Sequence, residues 1–307
     1  MRTFLFGLVA CTYTFPNPKP PDANESRTDS DSTESDAPTD SDTGSTSTAP
    51  TRCDLLETEP NNSVEDIQTL PTEIWACGDF LAPADADFFE FVTPDDGWME
   101  VTVAAADRGS AADVQVNLYD ASTSVYMSDG YLTSDPNIVF PVSAGDVFGA
   151  IFAEHTLLYG ETYFWYSRVS QVKPPVEWTR GEVENNDAIE VAEPFIDGDV
   201  VMASMGAAGD FDWYAYTPPD LATAVTYQIK SASYGAPTDL TLLRYDAEGD
   251  QVGVTYSGSI PYDPDPYYVE RYTEADPAEP RFIQIKDASG RGSRFAWYLL
   301  EITASYD

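Results

Sequence analysis

Asp113-Val114-Gln115-Val116-Asn117-Leu118-Tyr119-Asp120 alternates apolar and polar side chains, and Asp239-Leu240-Thr241-Leu242-Leu243-Arg244-Tyr245-Asp246 matches it further along the chain. A period of two places Val114, Val116 and Leu118 on one face of an extended strand. The neighbourhood reads the same way: Phe89 and Phe91, then Met99, Val101 and Val103, form further period-two sets. Tyr163-Phe164-Trp165-Tyr166 and Trp297-Tyr298-Leu299-Leu300-Glu301-Ile302 read as a closing strand for each half. Aromatics make up 13% of the residues, with 19 Tyr, and Gly/Asp/Pro turns separate the runs, a composition that favours strands over helices. The expected class is all-β: two tandem β-sandwiches, in a chain of 307 residues that is long enough for two cores.

Duplication extends beyond that strand. Glu57-Thr58-Glu59-Pro60-Asn61-Asn62 is answered by Glu182-Val183-Glu184-Asn185-Asn186-Asp187, and Asp85-Ala86-Asp87-Phe88-Phe89 by Asp210-Phe211-Asp212-Trp213-Tyr214. Glu59 to Asp87 and Glu184 to Asp212 both span 28 residues. Three blocks in one order mark a repeat, and the period is too long for a solenoid unit. Each copy is therefore expected to be a domain, at 53–172 and 177–307. The Pro174-Pro175 pair within 173–176 reads as a stiff hinge.

With these blocks the chain resembles the bacterial pre-peptidase C-terminal domain family, which includes the collagen-binding modules of clostridial collagenases. The shared marks are the Glu-x-Glu-x-Asn-(Asn/Asp) opening, a glycine before the first core strand (Gly78, with Gly198 expected in the second copy), Asp-x-Asp followed by aromatics, and the Tyr119-Asp120 and Tyr245-Asp246 strand ends. The resemblance implies jelly-roll-like sandwiches, and modules of this kind usually accompany a secreted protease or other hydrolase. It covers both folded halves and neither the leader nor the tether.

The acidic blocks point to a hard cation. Glu57, Glu59, Asn61, Asn62, Asp85 and Asp87 offer only oxygen ligands, as do Glu182, Glu184, Asn186, Asp187, Asp210 and Asp212. Calcium takes six to eight oxygens, and alternating Glu-x-Glu places both carboxylates on one side of an extended segment. The resemblance implies calcium at the same positions. Asp187 stands where the first copy has Asn62, so charge alone predicts the tighter site in the second copy. The competing reading is that these groups are merely solvated in an acidic protein. A glycosidase acid–base pair fits less well, because it requires one protonated carboxyl in an apolar cleft.

The chain opens Met1-Arg2-Thr3-Phe4-Leu5-Phe6-Gly7-Leu8-Val9-Ala10-Cys11, which reads as a short lipoprotein-type signal with Cys11 lipidated. Residues 12–52 are rich in Ser, Thr, Asp, Glu and Pro, and are expected to form a disordered acidic tether. Together these imply an exported protein, lipid-anchored in the bacterial outer membrane or at the cell surface. In such an oxidising compartment Cys53 and Cys77 form an even pair suited to a disulfide, with two free thiols as the alternative. The second copy has Trp178 and Asp197 at the places expected to match.

Charge narrows the function further. With 53 Asp+Glu against 15 Lys+Arg, the formal net charge is -38, which excludes nucleic acid as a partner and repels anionic lipid. Catalytic material is sparse: His155 is the one histidine, and no Gly-x-Ser-x-Gly nucleophile motif is present. The chain is accordingly read as no enzyme. Tyr256, Tyr262, Tyr267, Tyr268 and Tyr272, on a Pro-rich stretch of the second copy, form a candidate face for an extracellular protein or glycan. The alternative is an insertion packed on its own sandwich. The leading reading is a calcium-stabilised binding or adhesion lipoprotein; the rivals are an accessory subunit of a secreted hydrolase and a purely architectural envelope protein.

Overall fold

The computed structural model describes residues 53–121, 124–128, 135–256, 265–272, 279–288, 290, 292–293 and 295–306. Cys11, the acidic tether and Tyr262 lie outside these residues. The first copy contributes β1 (Leu55–Leu56), β2 (Gln68–Thr69), β3 (Trp75–Asp79), β4 (Ala86–Val92), β5 (Gly97–Ala104), β6 (Val114–Tyr119), β7 (Ser124–Ser128), β8 (Asn137–Val142), β9 (Val147–Glu154) and β10 (Phe164–Val172). The second contributes β11 (Arg180–Gly181), β12 (Glu193–Phe195), β13 (Val200–Ser204), β14 (Asp212–Tyr216), β15 (Ala224–Lys230), β16 (Leu240–Tyr245), β17 (Gln251–Tyr256), β18 (Tyr267–Arg271), β19 (Arg281–Asp287) and β20 (Trp297–Ser305). Helical content among the described residues is limited to single 3-10 turns such as Ala106–Arg108 and Ala232–Tyr234.

Each copy folds as two five-stranded sheets, in the orders β1-β3-β10-β5-β8 and β2-β4-β9-β6-β7, then β11-β13-β20-β15-β18 and β12-β14-β19-β16-β17. The second pair repeats the first strand for strand. In every sheet the short first strand runs parallel to its neighbour and the remaining pairs are antiparallel. The period-two sets form the cores. Phe89, Phe91, Met99, Val101, Val103, Val114, Val116 and Leu118 are all buried, and Trp165 stacks on Phe152 with centroids 4.7 Å apart. In the second core tyrosines replace much of this, with Tyr214, Tyr216, Tyr227 and Tyr298 buried among Leu, Ile and Val.

The register corrects two sequence matches. Glu57 N donates to the Cys77 carbonyl, and Glu182 N to the Met202 carbonyl, both at 2.9 Å. The counterparts of Cys77 and Gly78 are therefore Met202 and Ala203, not Asp197 and Gly198. Gly198 instead sits in the turn before β13, with a φ of 82°. Cys53 and Cys77 form a disulfide that ties the chain entering β1 to β3.

The two copies share apolar packing. Phe295, Trp297 and Leu299 belong to the buried cluster of the first copy's core. The Phe295 ring lies 5.1 Å from Phe140 and 5.7 Å from Phe148, and Trp297 meets Trp98 edge-on at 4.8 Å. Trp297 Nε1 donates to the Val139 carbonyl at 2.6 Å, and Val139 N donates to the Gly235 carbonyl at 2.9 Å. Gly235 has a φ of 86°, and a Cβ there would meet Val139 Cγ2 at 3.0 Å. Val176, in the segment read as a hinge, packs against the same cluster. Trp178 and Met202, the second copy's counterparts of the two disulfide cysteines, also face this seam: Trp178 lies 6.0 Å from Trp98 and Met202 packs on the cluster.

Candidate metal centre

Asp87, the second residue of β4, lies on its inward face, since period two sets Asp87, Phe89 and Phe91 together, and all three have no exposed surface. The strap preceding β2 brings in Glu57, which lies over Gly78: a Cβ there would come within 2.2 Å of Glu57 Oε2. Glu59 follows two residues later, and ligand oxygens of Glu57, Glu59 and Asp87 all lie within 4.8 Å of one another. Among the described residues this is the one such convergence of three acidic groups.

Protein donors satisfy this cluster only in part. Asp79 N donates to Glu57 Oε1 at 2.6 Å, Trp165 Nε1 to Asp87 Oδ2 at 2.6 Å, and Asn61 N to Glu59 Oε2 at 3.1 Å. Both side-chain polar atoms of Asn61 are buried without a protein partner, and Glu57 Oε2 and Asp87 Oδ1 find no donor beyond a proton that the two carboxyls can share between them. Burial, aided by the neighbouring carboxylates, pushes Glu57 up to about 7 and Asp87 up to about 9. Three acids held this close, with orphaned oxygens, fit a hard divalent cation, which supplies the missing charge and takes oxygen ligands. Of the other predicted ligands, Asn62 Oδ1 accepts Ala86 N at 3.1 Å and Asp85 Oδ2 accepts Leu81 N at 2.9 Å. Those two side chains shape the loop entering β4.

The second copy arranges the same residue types differently. Glu182 Oε1 accepts Asn186 Nδ2 at 3.0 Å and the Tyr214 hydroxyl at 3.1 Å. The Tyr298 hydroxyl lies 2.6 Å from Asp212 Oδ2 and 2.9 Å from the Tyr214 hydroxyl. Each tyrosine has one proton, so these three tyrosine contacts close as hydrogen bonds only if one of the two end carboxyls, Asp212 or Glu182, carries a third. Burial and the nearby Glu182 push Asp212 up to about 10, in keeping with that count. Asp210 lies against Asp187 and anchors Gly206 N at 2.6 Å, while Glu184 is raised by burial and by surrounding acids. Asp212 Oδ1 and Asn186 Oδ1 stay buried and unpaired. Tyr214 and Tyr298 replace Phe89 and Trp165. The sequence carried the signal for the first pair in Asp-Phe-Asp-Trp-Tyr against Asp-Ala-Asp-Phe-Phe, and for the second in the closing strands that hold Trp165 and Tyr298.

Of the tyrosines expected to form a face on the second copy, the three whose side chains are described do not share one surface. Tyr267 is 38% exposed, but the Tyr268 ring packs under the Arg244 guanidinium at 3.2 Å, and Tyr268 and Tyr272 both pack on the core. The alternation of β18 decides this, because Tyr267 and Tyr268 must point to opposite faces. Tyr256 ends β17, and its side chain lies outside the described residues. His155 is exposed in the loop after β9.

No family model and no curated protein matches the chain. Among solved structures it is similar to the pre-peptidase C-terminal domain of a collagenase from Bacillus anthracis, with 12% identity and a TM-score of 0.29 over 36% of this chain and 99% of that one. It is also similar to the tandem CBM51 modules of a family 98 glycoside hydrolase from Streptococcus pneumoniae, with 9% identity and a TM-score of 0.22 over 74% of this chain and 83% of that one. Both are likenesses in fold alone.

Proposed function

We propose that this chain is an exported, non-catalytic binding protein whose first sandwich holds a calcium ion as a structural ligand. The observation that carries the reading is the Glu57–Glu59–Asp87 convergence with its unpaired buried oxygens. A carboxylate cluster without a cation destabilises the fold around it, so the ion would fasten the strap before β2 to the start of β4. The second site, closed by tyrosine hydroxyls and a proton, needs an ion less. This reverses the ranking expected from Asp187.

In this reading the lipidated Cys11 and the acidic tether hold the sandwiches away from the outer membrane or cell surface, where they bind an extracellular protein or glycan. An accessory role beside a secreted hydrolase remains the second reading, on the family resemblance of the sequence blocks. Chelation is the test of the metal. A cation that binds only the folded chain stabilises it by about 2.7 kcal/mol at a hundredfold excess over Kd. The melting temperature should fall on adding chelator and recover with calcium; superimposable melts would remove calcium from the account. Localisation is tested separately by Cys11→Ser, which should release the protein from the membrane fraction.

A further inference from the structure

We propose that the second copy carries a binding site for a single carboxylate at Arg244, on the side of the sandwich bounded by β17 and β18. Arg244 follows Leu242 by two residues on β16, so period two turns it inward with Leu240 and Leu242 of the core. It is 6% exposed. Its guanidinium lies over Gly253, its pairing partner on β17, in the space that a Cβ there would fill. It also stacks on the Tyr268 ring of β18, at 3.2 Å. β17 and β18 each end their sheet, so the guanidinium sits between two edge strands.

This cation lacks a counter-charge. Arg244 Nε is buried without a partner, and among the described residues no carboxylate forms an ion pair with Arg244. Arg168, Arg180 and Arg281 each meet one. Acids are not scarce in a chain with 53 Asp+Glu. Glu270, which shares the inward face of β18 with Tyr268, is taken by Arg281 and the Tyr227 hydroxyl. A tyrosine face offsets part of the cost of burying a cation but brings no negative charge. The first copy shows that the fold does not require the arginine. Leu118 stands at the matching place on β6 and is fully buried in the core. An arginine at a core position, left without the anion that burial demands, marks a place for an anion from outside the chain.

Geometry and charge select the ligand. Of the three guanidinium nitrogens Nε alone is closed off without a partner, so an anion meets Arg244 end-on, through Nη1 and Nη2. Two parallel N–H donors match the two oxygens of a planar carboxylate. One cation in a chain of net charge -38 suits a ligand with one negative charge, whereas a polyanion would be repelled along its length. Repulsion from exposed acids farther than about 8 Å is screened at physiological ionic strength, and a contact with a buried guanidinium is screened much less. The ligand class is therefore a small monocarboxylate.

The test is calorimetric titration of the full chain in a buffer free of carboxylate, phosphate and sulfate. Calcium is left out, since the site stands apart from the cation of the first copy. The probes are acetate, glucuronate and N-acetylglycine, which present the carboxylate on a bare acid, a sugar and a peptide end; glucose is the neutral control. The expected result is saturable binding of at least one acid and none of glucose, weakened about tenfold or more in Arg244→Leu by loss of the charge-assisted contact. The acid that binds best identifies the source of the carboxylate. Arg244→Lys keeps the charge without the fork and should bind with intermediate affinity. Arg244→Leu installs the first copy's residue and removes an unpaired buried cation, so it should melt no lower than the parent. If it melts lower, the lysine variant decides, and affinity there equal to the parent's overturns the proposal. Binding of no acid by the parent, equal binding by Arg244→Leu, or glucose bound as well as glucuronate also overturns it.

Discussion

The two copies share strand order, sheet pairing and the spacing of their acidic blocks, yet they handle buried carboxylates in different ways. In the first, Phe89 and Trp165 offer Asp87 a single N–H, and three acids face one another with oxygens to spare. In the second, Tyr214 and Tyr298 bring hydroxyls to Glu182 and Asp212, and a proton completes the chain. Two aromatic exchanges thus separate a site open to a cation from one that largely satisfies itself. The fasteners differ too: a disulfide at Cys53–Cys77 in one copy, and Trp178 and Met202 pressed on the seam in the other. Duplication preserved the fold while the hydrogen-bond supply around the acids changed.

The seam gives the largest expected effect. Trp297 has no exposed surface and its Nε1 bonds across to Val139, so Trp297→Ala should destabilise the chain by about 3–5 kcal/mol. Denaturant titration should show both copies unfolding in one transition; two separate transitions, with only the second shifted by the substitution, would make the copies independent. Next comes the disulfide, which closes a sequence separation of 24 residues. Reduction should lower stability by about 3.5 kcal/mol in the chain-entropy model, and equal melts with and without reductant would show that the strap is held by other contacts.

The pH response tests the cation in the first copy, since the acids of both copies are raised by burial. An acid whose pKa is raised on folding keeps its proton longer in the folded chain than in the unfolded one. Folded-state stability is therefore lost as pH climbs from the unfolded value to the folded one. For Asp87 that window runs from 3.8 to about 9, and for Glu57 from 4.5 to about 7. Chelated protein should lose melting temperature between pH 5 and 8. Calcium binds the deprotonated cluster, so saturating calcium should oppose that loss. A pH profile indifferent to calcium would count against the site. The smallest effect is expected from Asp187→Asn, within about 0.5 kcal/mol, because Asp187 lies beside another acid, Asp210, and removing one of two like charges is mild.

The sequence made the strands legible because a sandwich core imposes a period of two: every apolar residue singled out on β4, β5 and β6 is buried. Fixed spacing exposed the repeat and brought Glu57, Glu59 and Asp87 together on paper before their oxygens were seen to converge. The charge count gave no sign of the tyrosine hydroxyls beside Glu182 and Asp212, because it takes no account of the aromatics next to the acids. Within the candidate tyrosine face, Tyr267 and Tyr268 point to opposite sides of β18, which a count of tyrosines does not reveal. The seam gave no periodic signal, since Phe295 and Trp297 read equally well as core residues of their own copy.

The most direct test is calorimetric titration of the full-length chain with calcium, comparing the parent with Asp87→Asn and Asp212→Asn. Using the whole chain keeps the shared seam intact. The account predicts that Asp87→Asn abolishes the principal binding isotherm while Asp212→Asn leaves it near that of the parent. Loss of the isotherm in Asp212→Asn with retention in Asp87→Asn, or no calcium binding by the parent, would contradict it.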